Sequence, residues 1–390
     1  MKSYKKILCI HSALYLTLIS QVYAATYTWT GDATATANAV GDWNDARNWY
    51  DVTNTTDNVA FVSANTTDLE IAGTQDLDQY TRTTKTIKSL TFTSTNTGDF
   101  ALRLEAANNT TARSLTFSAD TGNSTLTIDA AASGNKIFGP NLDGSNPSTG
   151  SVILNSNLDV IHNGSGELRF TNAITGGNNI SFAGTGTTVF SGVNTYTGTT
   201  TVTGGTLLVN GSTSASSAVT IASGATLGGS GTVGGATTVS GNLNPGNSPG
   251  LLTFTNNLIL GTTAITTMEI DGSLTRGTDF DGVDVGGALT LDGALVFDLG
   301  TTFGEGDYTF DLFDFTSYTG DFSSVTLAGS YTGTLLQTLE VWNLVSGFNT
   351  WQFDQSTGEL SLSVVLPEPS SMALLALGLV SLMAVRRRKA

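Results

Sequence analysis

Two columns of residues recur at one shared period along the middle of this 390-residue chain. In the first, a Gly stands two or three residues before an apolar residue: Gly166-x-Leu168, Gly186-x-x-Val189, Gly205-x-Leu207, Gly224-x-x-Leu227 and Gly241-x-Leu243. The Gly-to-Gly steps are 20, 19, 19 and 17. The second is apolar: Val160, Ile180, Val202, Ile221 and Val239, with steps of 20, 22, 19 and 18. Two columns at one period are what a β-solenoid requires. Each coil contributes short strands, inward residues stack along the axis, and Gly fits the corners. Coils stack about 4.8 Å apart, so five would span roughly 24 Å.

The local pattern agrees. Ser89-Leu-Thr-Phe92, Ser114-Leu-Thr-Phe117, Thr125-Leu-Thr-Ile128, Ser151-Val-Ile-Leu154 and Thr200-Thr-Val202 alternate apolar with polar residues and are punctuated by Gly and Asn. That is strand patterning in residues suited to a pleated surface. No amphipathic helix appears between residues 25 and 366, so the body is expected to be all-β. The abundant Gly and Thr could suggest disorder, but the regular Val, Ile, Leu and Phe argue against it.

Residues 188–209, Thr-Val-Phe-Ser-Gly-Val-Asn-Thr-Tyr-Thr-Gly-Thr-Thr-Thr-Val-Thr-Gly-Gly-Thr-Leu-Leu-Val, resemble the autotransporter-associated β-strand repeat. Leu243-Asn-Pro-Gly-Asn-Ser-Pro-Gly-Leu-Leu-Thr-Phe254 resembles the Pro-Gly turn that commonly follows such repeats. The resemblance implies a right-handed parallel β-helix. The chain departs from true autotransporters in having no C-terminal run of alternating strands that could form a translocator barrel. Residues 27–49, with Trp29, Trp43 and Trp49, resemble the Trp-rich opening of repeat-bearing surface proteins. Gly277 to Val285, Gly306 to Phe313 and Trp351 to Val365 resemble a closing module. N- and C-terminal β caps make sense, because a solenoid end is an exposed strand edge.

Both termini carry addresses. Lys2, Lys5 and Lys6 precede an apolar run from Ile7 to Ile19, and Val22-Tyr23-Ala24 supplies small residues before the Ala24–Ala25 bond. This is a secretory signal peptide. The only cysteine, Cys9, lies within it, so the mature chain has no disulfide, thiolate metal site or cysteine nucleophile of its own. At the other end stand Pro367-Glu368-Pro369, an apolar run from Met372 to Val385, and the basic cluster Arg386, Arg387, Arg388 and Lys389. The prolines keep the chain extended, the apolar run can enter a bilayer as a membrane helix, and the cations stay cytoplasmic. A plain tail anchor is the alternative, but 14 apolar residues fall short of the roughly 20 that a span needs.

The three-part tail resembles the PEP-CTERM sorting signal. That resemblance implies recognition by a membrane-embedded exosortase, transient anchoring in the inner membrane, and release to the cell surface or extracellular matrix. The expected organisation is a signal peptide at 1–24, a Trp-containing β region at 25–112, a β-solenoid at 113–262, a C-terminal β module at 263–366 and the sorting signal with its membrane segment at 367–390.

Composition excludes some functions. Residues 25–366 hold nine basic residues against 31 acidic ones, a balance near −22. Nucleic-acid binding needs cationic patches that such a body lacks. An acidic coat suits solubility outside the cell, divalent cations, or both. His162 is the only histidine of the mature chain, and no Gly-x-Ser-x-Gly elbow, phosphate loop, dinucleotide fingerprint or zinc pattern accompanies it. Asp279, Asp281 and Asp284 alternate along one loop, as Ca²⁺ ligands would. They lack the Gly at position six and the Glu at twelve of an EF-hand, so they read first as a solvated acidic turn and only weakly as a Ca²⁺ site.

The Trp cluster could stack sugars or fill a small core. Solenoids also host polysaccharide lyases, but only Arg169 and Arg276 are basic between residues 140 and 385, which leaves few proton abstractors. The expectation is a non-enzymatic surface or matrix protein, structural or adhesive, without an obligatory cofactor. Exopolysaccharide is a candidate partner. The alternative is a carbohydrate-binding or carbohydrate-active β-helix protein.

Overall fold

Turn residues interrupt the alternating pattern every few positions, so each strand is short and buries its apolar face only by stacking on a copy of itself. The computed structural model describes residues 67–71, 84–104, 112–139 and 150–365, together with the backbone of strands Thr26–Trp29, Ala39–Asp42, Trp49–Asp51, Thr56–Asp57 and Leu77–Tyr80. The Ala24–Ala25 bond, the side chains of Trp29, Trp43 and Trp49, and the tail with Pro367, Glu368, Pro369 and Arg386 to Lys389 lie outside the described residues. So does the expected membrane helix. Among the described residues the chain is all-β, and no helix is long and apolar enough to cross a membrane.

Each coil visits three parallel sheets in turn. Ile180–Gly184 lies in the first sheet, Thr187–Phe190 in the second, and a bridge at Val193 in the third, before Thr200–Val202 re-enters the first. In the first two sheets each strand of the stack pairs in parallel with its counterpart one coil on. The third sheet, Lys85–Ile87, Ser114–Phe117, Ser151–Leu154 and Ala173–Gly176, is followed by the isolated parallel bridges Val193–Ser212 and Ser212–Thr232. In the first sheet the inward column is Leu69, Leu90, Leu126, Val160, Phe182, Val202, Ile221, Val239 and Leu260, all in register. Second-sheet positions Leu168, Thr188, Leu207, Leu227 and Leu243 form the facing column. These side chains are buried. Each large apolar one contributes about 1.5–3 kcal/mol relative to exposure.

The expected columns hold in most positions and slip in two. Ile180 pairs with Leu158 and Thr200, so Phe182 takes the place expected for it. Val189 pairs with Arg169 and Leu208, one position off the inward column although it is itself buried, and Thr188 takes the place in the column. The corner glycines have a steric cause. At Gly205, φ is +70°, and a Cβ would stand 2.5 Å from the carbonyl oxygen of Gly186. Asn residues close the neighbouring corner: Asn157 Oδ1 accepts the Asn179 N–H at 3.1 Å, and Asn179 Oδ1 accepts the Thr199 N–H at 2.8 Å.

The parallel stack runs past both expected boundaries, 113 and 262. On one side it includes Ser89–Phe92, Asp68–Ile71 and Thr26–Trp29 in the first sheet. On the other it includes Ile265–Ile270, Ala294–Leu299 and Ser324–Gly329 in the second. The outer edge of Thr26–Trp29 is covered by antiparallel Trp49–Asp51 and then Thr56–Asp57. At the other end the parallel order stops at Ser324–Gly329. Gly333–Thr338, Val341–Ser346, Asn349–Asp354, Glu359–Val364 and Gly306–Asp311 continue as an antiparallel meander.

Phe353 ties the meander to the last coil. Its ring centroid lies 5.3 Å from that of Phe297 and 6.2 Å from those of Phe313 and Phe322. Buried Trp351 meets Tyr331 edge-on at 5.0 Å.

Candidate functional site

The chemistry-bearing residues fall in three places. The first is the loop after Ile265–Ile270. Asp279 folds back on its own loop, where Oδ2 accepts the N–H groups of Leu274 at 3.1 Å and Thr275 at 2.9 Å. Asp281 is buried and staples two segments: Oδ1 accepts the Gly250 N–H and Oδ2 the Glu269 N–H, both at 2.7 Å. Burial pushes its carboxyl up to about 7, against the pull of those two amide donors. Asp284 faces Arg276, with Nη1 to Oδ1 at 2.6 Å, and Arg276 Nε reaches the Asp311 carbonyl at 2.6 Å. The three aspartates of the expected Ca²⁺ loop thus serve three separate ends. Among the described residues no group of three acidic or histidine side chains is arranged to hold a metal ion.

The second place is an open groove of about 560 Å³ at the corner between the third and first sheets. Thr253, Asp284 and Asp314 stand in register on consecutive rungs, and Phe254, Val285 and Phe315 follow them. Gly282–Leu291 carries a register shift between Val285 and Ala288, where Gly286 and Gly287 bend the strand around the corner. Thr316 Oγ1 donates to the Gly286 carbonyl at 2.9 Å, and Thr255 Oγ1 to the Gly234 carbonyl at 3.0 Å. Carboxylates, hydroxyls and the half-buried Phe315 ring therefore share one concave surface. Of its lining, the sequence reading singled out only Asp284. The Gly286-Gly287 doublet within a strand was the available signal.

The third place is the interior around His162. Its ring packs where a Cβ on Gly186 would lie 2.5 Å away, and its Nδ1 is buried without a hydrogen-bond partner. Burial, joined by the charge of Lys136 and opposed by hydrogen bonding to the Gly166 and Thr187 backbone, holds the imidazole down to about 4, so it stays neutral near pH 7. A triad histidine needs an acceptor at the ring nitrogen that orients it. Lys136 itself stands in the inward second-sheet column, in register with Leu168. Its Nζ donates to the carbonyls of Gly98 at 2.7 Å and Ser133 at 2.6 Å, and lies 5.5 Å from the Phe92 ring centroid. Nothing in the period-two pattern marks this lysine as buried.

The fold thus defines a three-faced parallel β-solenoid closed by an antiparallel meander. Its C-terminal residues 365–389 match the family model of the PEP-CTERM protein-sorting motif. That motif is the recognition signal for exosortase processing of secreted proteins that transit the membrane to the cell surface or extracellular space. The match includes Pro367, Glu368, Pro369 and the basic cluster to Lys389. A search of curated proteins finds no match to the chain.

Proposed function

We propose that the mature chain is a non-enzymatic surface or extracellular-matrix protein whose solenoid acts as a spacer or adhesive element. The supporting observation is the order along the chain: parallel stack, antiparallel cap, then the sorting motif from residue 365. Parallel crossovers are almost always right-handed, which favours a right-handed coil. The neutral, enclosed His162 and the aspartates already engaged with protein donors support a body without acid–base machinery. Weak Ca²⁺ binding at Asp279, Asp281 and Asp284 would have to displace those donors.

The test is Pro367→Ala with Pro369→Ala in the native host. The double variant should remain in the inner membrane at near full length, while the wild type reaches the surface in shortened form. Equal release and equal mass would leave a plain anchor.

The groove favours a second reading, a carbohydrate-binding protein with exopolysaccharide as partner. Polar side chains beside a half-buried ring suit the alternating faces of a sugar. Glycan binding lost in Asp314→Ala would support it, and no binding on a broad glycan panel would remove it.

A further inference from the structure

The meander exposes apolar side chains at the end where the sorting tail leaves it. Val341–Ser346 and Asn349–Asp354 are joined by the two-residue turn Gly347-Phe348, with Ser346 paired to Asn349. Asn349 pairs in turn with Val364, the last residue of Glu359–Val364. Phe348, Val345 and Val365 therefore cluster at one tip, and they are 61%, 70% and 50% exposed. Leu336 adds to the same outward face, since it pairs with Asn343, two residues before Val345. Isolated exposed apolar residues are ordinary, but three at one tip beside the tail exit are a patch.

Only residues 366–371 separate this tip from the apolar run that starts at Met372. Six residues reach at most about 20 Å. While the tail is in the membrane, the tip is held within that distance of the lipid. Tethering makes the encounter intramolecular, so a weak intrinsic affinity suffices. Aromatic and aliphatic side chains at a turn partition favourably into the interfacial zone of a bilayer. Glu305 and Asp307 flank Gly306, which also pairs with Val364, so an anionic surface is disfavoured relative to a neutral one.

We infer that the Val345–Phe348–Val365 tip rests on the outer face of the inner membrane in the unprocessed precursor and holds the cleavage region at a fixed height. This rests on the tail being a membrane-inserted sorting signal. The opposite end of the meander supplies an internal control. Leu339 is 89% exposed at the turn beside Val341, which pairs with Asp354 and, through it, Glu359, five residues from Val364.

Since no cysteine follows Cys9, single cysteines can report on each end. The chain with its tail, carrying Ser346→Cys or Leu339→Cys labelled with a polarity-sensitive fluorophore, is reconstituted into phosphatidylcholine vesicles. The label at 346 should shift to the blue and gain intensity at least twofold, and the label at 339 should stay in water. Val345→Ser with Phe348→Ser should abolish the shift at 346, and anionic lipid should reduce it. A chain that floats with the vesicles while its 346 label stays aqueous overturns the docking alone. Equal responses at 346 and 339 overturn it too, as does a shift that depends on protein-to-lipid ratio, which assigns the patch to a second copy. A chain that does not float overturns the membrane reading of the tail and the docking with it.

Discussion

Two buried groups pull stability in opposite directions as pH changes. Asp281 is raised from 3.8 to about 7, so the fold prefers its protonated form. Its contribution is fullest below about pH 4 and is lost as pH rises towards 7. His162 is lowered from 6.5 to about 4, so the fold prefers neutral imidazole. Its contribution is present above about pH 6.5 and is lost as pH falls towards 4. Asp281→Asn removes the first slope only. Melting temperatures of that variant should fall more steeply towards acid than those of the wild type over pH 4 to 7. Parallel curves would show that Asp281 does not titrate in that window. At Leu207, an inward position between Thr188 and Leu227, Asp would bury an unpaired charge. The expected loss is on the order of 4 kcal/mol in urea unfolding, and an unchanged midpoint would contradict the register.

Coil length decides which elements could be read in advance. Between Val160 and Leu260 successive first-sheet positions lie 18 to 22 residues apart, which a fixed-period search detects. Leu90 to Leu126 is 36 residues, Leu126 to Val160 is 34, and Leu258 to Leu289 is 31. Loops inserted between strands erase the period there while leaving the strand pairing intact. The Ile180 slip has a related cause: alternation fixes which residues share a face, but a step of two along the strand, to Phe182, is invisible without the neighbouring coil. The Val189 slip is a step of one, to Thr188, and arises because the strand offers two adjacent apolar residues, Val189 and Phe190, and places a threonine in the column. The groove leaves no mark on the sequence period because its rungs, Thr253, Asp284 and Asp314, are 31 and 30 residues apart and belong to such long coils. The meander was legible as β structure, but not as antiparallel. Phe353→Ala should cost about 3–5 kcal/mol, because it empties the space between Phe297, Phe313 and Phe322. A chemical-denaturation midpoint that does not move would mean the meander is not packed on the last coil.

At the scale of the whole molecule, the acidic body and the engaged aspartates predict little response to divalent cations. Millimolar Ca²⁺ should leave the melting temperature within about one degree, since stabilisation by mass action needs a site that binds at that concentration. A clear rise, abolished by Asp279→Asn with Asp281→Asn, would establish the Ca²⁺ loop after all. Far-ultraviolet circular dichroism of residues 25–366 should show a β spectrum with little helix, and a helical spectrum would contradict the stack. The coil lengths have a further consequence. Each turn of the coil advances the axis by the same strand spacing, about 4.8 Å, whether it uses 18 residues, as from Ile221 to Val239, or 36, as from Leu90 to Leu126. Added sequence thickens the rod without lengthening it. The length of the stack is set by how many rungs it has, and the flanks are free to diversify without altering it.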